Sequence, residues 1–370
     1  VSVVKLATLQ RTDLVPMLRE LAQASGLSPI DASVGSPVDP PPRFVPGLLA
    51  SSDAERGYPR SDGDLALRLA LAEWYRRRFG VVLGPSEVAA SVGSKELVCL
   101  LPVLLAKVRP GRDVVVVPEV CFTPYLTGAE LAGLEVFPAP LATDGGPYLE
   151  AVPDEVMARA LMVFVNSPSN PTGRIYDLVP RVDWAREHGV VLVSDECYSE
   201  FGWTTRPHSV LEYGRAEVLS VVSLSKRSNL AGLRIGAYAG DPGLVSELAR
   251  QRRALGLIPA GPSQAAAAGA LADEAHVVTQ RQRYLDRLMR LAVLFEKLSG
   301  REVTLPEGGL YLWVEAPEAL RRDGDAFARR LATELGLVVA PGSGFGDRAH
   351  VRVAATVTTR EVAELEERLA

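Results

Sequence analysis

The chain reads as an α/β protein. A large unit with a mostly parallel, seven-stranded type of sheet sandwiched by helices is followed by a smaller α+β unit. Two observations carry this expectation. Short apolar runs at residues 113–118, 135–138, 161–165, 190–194 and 218–223 alternate with helical patterns at 96–107, 125–131 and 179–188. Strands that alternate with helices of this length form parallel sheets covered on both faces. After Pro259-Ala-Gly-Pro262 the character changes to a long helical stretch and then short strands.

In chain order, residues 1–45 are expected to form an arm that packs with the small unit. It holds one short helix over 14–24 and a stiff segment, Ser36-Pro-Val-Asp-Pro-Pro-Pro42, that proline excludes from helix. Gly57-Tyr58-Pro59-Arg60 reads as an exposed turn, and the helix after it turns Leu65, Leu69, Ala72 and Trp74 inward. The large unit is expected over 46–257 and the small one over 258–370. Residues 264–298 read as helix nearly throughout, with Leu285, Leu288, Met289, Ala292, Phe295 and Leu298 on one stripe. Strands at 309–314, 337–340 and 350–354, a helix at 326–335 and another near the C-terminus complete the pattern.

Composition narrows the function. At 370 residues the chain is long for one core. Its 47% hydrophobic and 23% charged content is that of a soluble globular protein. A net charge of −5 argues against nucleic acid or an anionic membrane as main partner. Arg76-Arg77-Arg78 and residues 250–253 read as solvated helix faces. Cys99, Cys121 and Cys197 form neither a disulfide framework nor a CxxC metal site, which points to the cytoplasm. Lys5 and Arg11 interrupt any signal-peptide core, and no run of about 18 apolar residues exists for a membrane span. The four histidines lack metal spacing and triad partners, and no GxGxxG joins a strand to a helix.

Open parallel sheets bind ligands at the carboxyl ends of their strands. One such end is Ser223-Leu-Ser225-Lys226, followed by Arg234. A lysine there is costly to bury, and the cost makes sense for a residue that forms a Schiff base as a neutral amine. The hydroxyls of Ser223 and Ser225 with the guanidinium of Arg234 suit a phosphate, and the whole stretch suits pyridoxal phosphate. Asp195, just past another apolar run, needs a cation such as a pyridinium nitrogen, although a helix N-cap is the competing reading. Asn170-Pro-Thr-Gly173 is first a turn sequence, and following a strand it offers the Asn170 amide to a phenolate oxygen. Gly93, Ser94 and Lys95 open a helix whose free N–H groups suit phosphate. Phe122 ends a further strand, where its ring can stack on a flat cofactor. Arg352, within an apolar run, suits a substrate carboxylate or a structural ion pair.

The order of Ser94, Phe122, Asn170, Asp195, Tyr198, Lys226, Arg234 and Arg352 resembles the site pattern of fold-type-I, pyridoxal 5'-phosphate-dependent aminotransferases. The resemblance implies that Lys226 holds the cofactor and moves the substrate proton, and that Asp195 pairs with the pyridinium. It implies that Asn170 and Tyr198 bond the ring oxygen and that Phe122 stacks on the ring. Gly93, Ser94, Lys95, Ser223, Ser225 and Arg234 would surround the phosphate. Arg352, Gly35 and Asn170 would bind the substrate, and Tyr58 would reach the phosphate of the second subunit of a homodimer. Within the family, residues 33–40, 92–98, 223–236 and 339–342 look most like actinobacterial N-succinyldiaminopimelate aminotransferases. That implies glutamate as donor and N-succinyl-2-amino-6-oxopimelate as acceptor, in lysine and diaminopimelate biosynthesis. The arm over 3–16, Thr123 and the loop 343–346 depart from that subgroup, which leaves a related enzyme of a secondary-metabolite pathway as the alternative. A regulator would need a DNA-binding module, for which the residues before Val34 are too few.

Overall fold

The computed structural model describes residues 13–51, 53–54 and 56–370; Lys5, Arg11 and the first part of the departing arm lie outside them. The elements run α1 (Val15–Ala24), β1 (Ile30–Asp31), α2 (Val45–Ser51), α3 (Leu65–Phe79), β2 (Val88–Ser91), α4 (Ser94–Val108), β3 (Val114–Pro118), α5 (Pro124–Leu131) and β4 (Glu135–Ala139). They continue through α6 (Asp154–Met157), β5 (Ala160–Val165), α7 (Val179–Glu187), β6 (Val191–Asp195), β7 (Val218–Ser223), α8 (Leu224–Arg227), β8 (Gly236–Gly240) and α9 (Pro242–Ala254). The last third holds α10 (Gly261–Ala272), α11 (Ala275–Ser299), β9 (Tyr311–Glu315), α12 (Gly324–Leu335), β10 (Leu337–Val338), β11 (Ala340–Pro341), β12 (His350–Ala354) and α13 (Thr359–Arg368).

Seven strands form one sheet in the order β2-β8-β7-β6-β5-β3-β4, in which β8 alone runs against its neighbours. The apolar runs are buried on both faces because successive side chains enter different cores. Val114, Val116, Val163, Val165 and Leu192 face one cluster, with Leu71, Trp74 and Tyr75 of α3. Val115, Val117, Phe164, Val191 and Val193 face the other, with Leu97, Val98 and Leu101 of α4. Local signals set the helix limits. Gly80 in the left-handed region closes α3. Pro124 opens α5, and Asp241 caps α9 through the N–H groups of Gly243 and Leu244.

A second core gathers Leu288, Leu291 and Phe295 of α11, Leu312 and Val314 of β9, Phe327 and Leu331 of α12, and Val351 and Val353 of β12. The antiparallel order is β11-β12-β9. The arm joins this core: Leu18 and Ala22 are buried in it, and β1 pairs with β10 in parallel. Ala354 N donates to Ala32 O at 2.8 Å, and Thr356 Oγ1 donates to Val34 O at 2.8 Å.

Four expectations need correction. Leu65 and Leu69 are about half exposed, whereas Leu67 and Leu71 are buried together with the expected Ala72 and Trp74, so the stripe of α3 is displaced only at its first two positions. The stretch 264–298 is two helices, broken at Asp273-Glu274; α10 packs Ala266, Ala267 and Ala270 into the first core, and Met289 of α11 is exposed. The strand expected at 337–340 is split between β10 and β11, which belong to different sheets. The arginine clusters are not bare solvated faces. Arg252 is fully buried against Glu96, and Arg78 pairs with Glu200.

Candidate functional site

The carboxyl ends of β5, β6 and β7, the start of α4 and the arm enclose a cavity of about 300 Å³. Ser94, Lys95, Phe122, Asn170, Asp195, Tyr198, Ser223, Ser225, Lys226, Arg234, Gly35 and Arg352 all line it. Gly93 sits behind them against Arg234. Tyr58 does not line it; its side chain is 99% exposed.

At one end the chain builds an anion cradle. α8 is a single turn capped by Ser223, whose Oγ accepts from Ser225 N at 3.2 Å. Arg234 adopts φ 50, and its guanidinium donates to Ala231 O at 3.0 Å and Val92 O at 3.4 Å. A Cβ at Gly93 would collide with that guanidinium, so the glycine is what lets the arginine lie over the first turn of α4. No side chain caps α4, and its first N–H groups and helix dipole favour an anion there. Glu96 in this turn is clamped by Arg252 of α9 at 2.7 and 3.0 Å, which fixes the helix from outside the cavity.

Asp195 ends β6 at the floor. Tyr125 Oη donates to its Oδ2 at 2.9 Å, and Cys197 N donates to Oδ1 at 3.2 Å. Tyr125 is itself held flat against Phe164, with ring centroids 4.2 Å apart. Asn166 Nδ2 donates to the Asp195 carbonyl at 2.6 Å and Asn166 Oδ1 accepts from Asn170 N at 2.7 Å, tying two strand ends together. Burial pushes the Asp195 carboxyl above its ordinary range, against the pull of its hydrogen bonds from Cys197 and Tyr125. No ion-pair partner reaches it among the described residues. A buried carboxylate of this kind calls for a cation from a bound group.

Lys226 donates to the carbonyl of Gly35, so the arm crosses directly over the lysine. On the far wall, Arg352 Nη1 donates to Asn170 Oδ1 at 2.7 Å and Nη2 to Ser33 O at 2.6 Å. Its guanidinium lies between the rings of Tyr311 and Phe345, at 4.2 and 4.6 Å. Arg352 is buried, its Nε has no hydrogen-bond partner, and no carboxylate pairs with it among the described residues. The structural ion pair left open by the sequence is therefore not what this arginine makes. A planar cation held by neutral partners is ready for a ligand carboxylate.

The sequence missed Tyr311. Its Oη lies 2.8 Å from Tyr198 Oη, and its ring carries Arg352. A Cβ on Gly35 would collide with its hydroxyl, so Gly35 is small because Tyr311 is there. Burial raises the Tyr198 phenol well above its usual range. Only the aromatic following Gly308-Gly309 marked this position, and an apolar strand predicts an aromatic equally well. Ser33, Cys197 and Ala231 also line the cavity without having been singled out.

Fold and site together define the class. A mixed sheet of this order with lysine, aspartate and an anion cradle at its strand ends fits pyridoxal phosphate. Asp195, buried without an ion-pair partner among the described residues, matches the ring nitrogen, and the cradle matches the phosphate. The family model "Aminotransferase class I and II" matches residues 35–369, and the chain belongs to that family, whose members depend on pyridoxal 5'-phosphate. It is 40% identical over 361 residues to the 4-dedimethylamino-4-oxo-anhydrotetracycline transaminase OxyQ of Streptomyces rimosus, covering 95% of each chain. It is 34% identical to the LL-diaminopimelate aminotransferase of Aquifex aeolicus, covering 93% of this chain and 91% of that one. Among solved structures it resembles a probable N-succinyldiaminopimelate aminotransferase of Thermus thermophilus, with a TM-score of 0.85 and 30% identity over 96% of this chain and 98% of the other. The chain is an aminotransferase acting on amino-acid and oxo-acid substrates. Among the described residues no helix is long and apolar enough to cross a membrane.

Proposed function

We propose that this aminotransferase takes its amino group from glutamate and passes it to an oxo acceptor, each bound in turn at the same cavity. The buried Arg352 without a carboxylate partner carries this reading. It orients an α-carboxylate so that Cα lies toward Lys226. When bound, the cofactor's ring takes up the electron pair of the Cα–H bond. Asp195 then holds the ring nitrogen protonated, and Lys226 Nζ moves the proton. Asn170 keeps its amide NH2 for the ring oxygen because its Oδ1 serves Arg352, and Tyr198 joins it there. Phe122 packs on the ring, while the main-chain N–H groups of Gly93, Ser94 and Lys95 hold the phosphate together with Ser223, Ser225 and Arg234. The carbonyl of Gly35 faces the reacting centre.

A homodimer belongs to this reading, with Tyr58 reaching the partner's phosphate; its complete exposure in a single chain supports that role. So does a division into an arm over 1–45, a large unit over 46–257 and a small unit over 258–370, in a cytoplasmic enzyme. Two acceptors frame the reading. N-succinyl-2-amino-6-oxopimelate draws support from the Thermus thermophilus neighbour. A secondary-metabolite acceptor draws it from the Streptomyces rimosus relative. The test is a half-reaction: glutamate or N-succinyl-LL-diaminopimelate is added without acceptor to the cofactor-loaded protein, and absorbance is followed. Conversion by glutamate alone favours the second acceptor, conversion by both favours the first, and conversion by neither removes glutamate as donor.

A further inference from the structure

The reaction cavity does not end at Arg352. A second cavity of about 410 Å³ shares Ser33, Lys95, Phe122 and Arg352 with the first and so continues it. Leu14 and Val15 of the arm, Pro124 and Thr127 of α5, and Phe345 of the loop after β11 form its walls. Gly344 leaves that loop open: a Cβ there would meet nothing within 4 Å. The charges on this lining are few. Among the described residues, Lys95 is the one cation besides Arg352, and Asp13 at the arm adds a negative charge.

This inventory selects between acceptors. Glutamate carries one carboxylate beyond that which Arg352 takes, and Lys95 can match it. N-succinyl-2-amino-6-oxopimelate carries two further carboxylates, so one would enter a space facing Asp13 where no further cation among the described residues offsets its desolvation. A neutral ring system instead gains from the hydrocarbon walls and from the edges of Phe122 and Phe345.

We propose that the second cavity receives the body of an oxo acceptor that is large and uncharged, aromatic or fused-ring in character. This rests on the glutamate-donor reading. The exchange balances without an added oxidant or reductant. Glutamate loses its amine and α-hydrogen and leaves as 2-oxoglutarate. The acceptor carbon gains both, and the acceptor's carbonyl oxygen is in net terms the one that glutamate acquires.

The test loads the holoenzyme with glutamate and then supplies indole-3-pyruvate, a naphthyl-bearing 2-oxo acid or N-succinyl-2-amino-6-oxopimelate. The aryl acceptors should return the cofactor to its starting absorbance with kcat/KM about tenfold or more above the succinylated one. Thr127→Trp, an exposed position that lines only the second cavity, should lower aryl kcat/KM about tenfold while the glutamate half-reaction stays unchanged. Calorimetric binding of 2-naphthylpropionate to the holoenzyme should weaken by a similar factor, a readout independent of turnover. Gly344→Leu serves as the second variant and should act in the same direction. Preference for the succinylated acceptor, or equal loss for all acceptors in both variants, overturns the proposal and leaves the donor assignment standing. Failure of glutamate to react with the unaltered holoenzyme overturns the donor assignment and the proposal with it.

Discussion

The two walls of the cavity are made differently. The wall proposed for the cofactor comes from strand ends of one sheet and the turns that follow them: Asp195 at the end of β6, Ser223 to Lys226 from the end of β7 into α8, and Ser94 at the start of α4. Several of its contacts are short-range in sequence, as in Ser223 with Ser225 or Arg234 with Ala231, although Arg234 also reaches Val92 and Tyr125 reaches Asp195. The wall proposed for the substrate is collected from Ser33 and Gly35 of the arm, Asn170, Tyr311 and Arg352, segments up to 319 positions apart. A wall built from local motifs keeps its chemistry when distant segments vary. A wall assembled from distant segments can change its ligand while the reaction stays the same.

Four experiments break or sharpen that contrast. Lys226→Ala removes the amine to which the proposed function gives the proton transfer, and turnover should fall at least about a thousandfold. The cofactor's absorbance should change, while circular dichroism reports an intact fold. Arg352→Ala acts on the other wall. It should cut kcat/KM for glutamate about a hundredfold or more, the cost of leaving a buried carboxylate without its cation. The absorbance of bound cofactor should stay unaltered, and a large spectral change would erase the boundary between the walls.

Tyr311→Phe tests where that boundary runs, because Tyr311 touches Tyr198 of one wall and Arg352 of the other. Losing one hydrogen bond should cost roughly three- to tenfold in kcat/KM and shift the pH titration of the cofactor's absorbance. An unmoved titration would confine Tyr311 to the substrate side. Glu196, next to Asp195, is buried outside the cavity lining, accepting from Ser220 Oγ at 2.7 Å and Val210 N at 2.8 Å. Burial lifts its carboxyl from 4.5 to about 7. The folded state thus favours the protonated form, and this contribution to stability is full below the unfolded value and lost as pH rises through the folded one. Glu196→Gln should flatten the decline of Tm across that window, and an unchanged Tm profile would show that Glu196 does not titrate there.

The same contrast explains what was legible in the sequence. The sheet strands could be read because parallel strands buried on both faces are unbroken apolar runs, and β3, β5, β6 and β7 fall within a residue of where those runs place them. Lys226, Asp195 and Arg234 stood out because charge at such a strand end is rare enough to require a reason. Tyr311 did not, since a tyrosine in a buried strand is ordinary until its hydroxyl partner is known. Arg252 was hidden for the opposite reason: amid neighbouring arginines it looked like solvent-facing charge, while its carboxylate partner stood 156 residues away. The arrangement of β10 and β11 was illegible too, because a two-residue pairing leaves no periodicity to detect.

The arm is threaded onto the C-terminal unit by a ladder of main-chain contacts, Ile30 beside Leu337 and Ala32 beside Ala354, with Ser33 bound to Arg352. For anyone redesigning this enzyme, the arm and the C-terminal unit therefore form one exchangeable cassette. A chimera that imports a new arm without its matching C-terminal strands inherits mismatched halves of the same wall. One that imports both can retarget the enzyme and leave Lys226, the anion cradle and the sheet as they are.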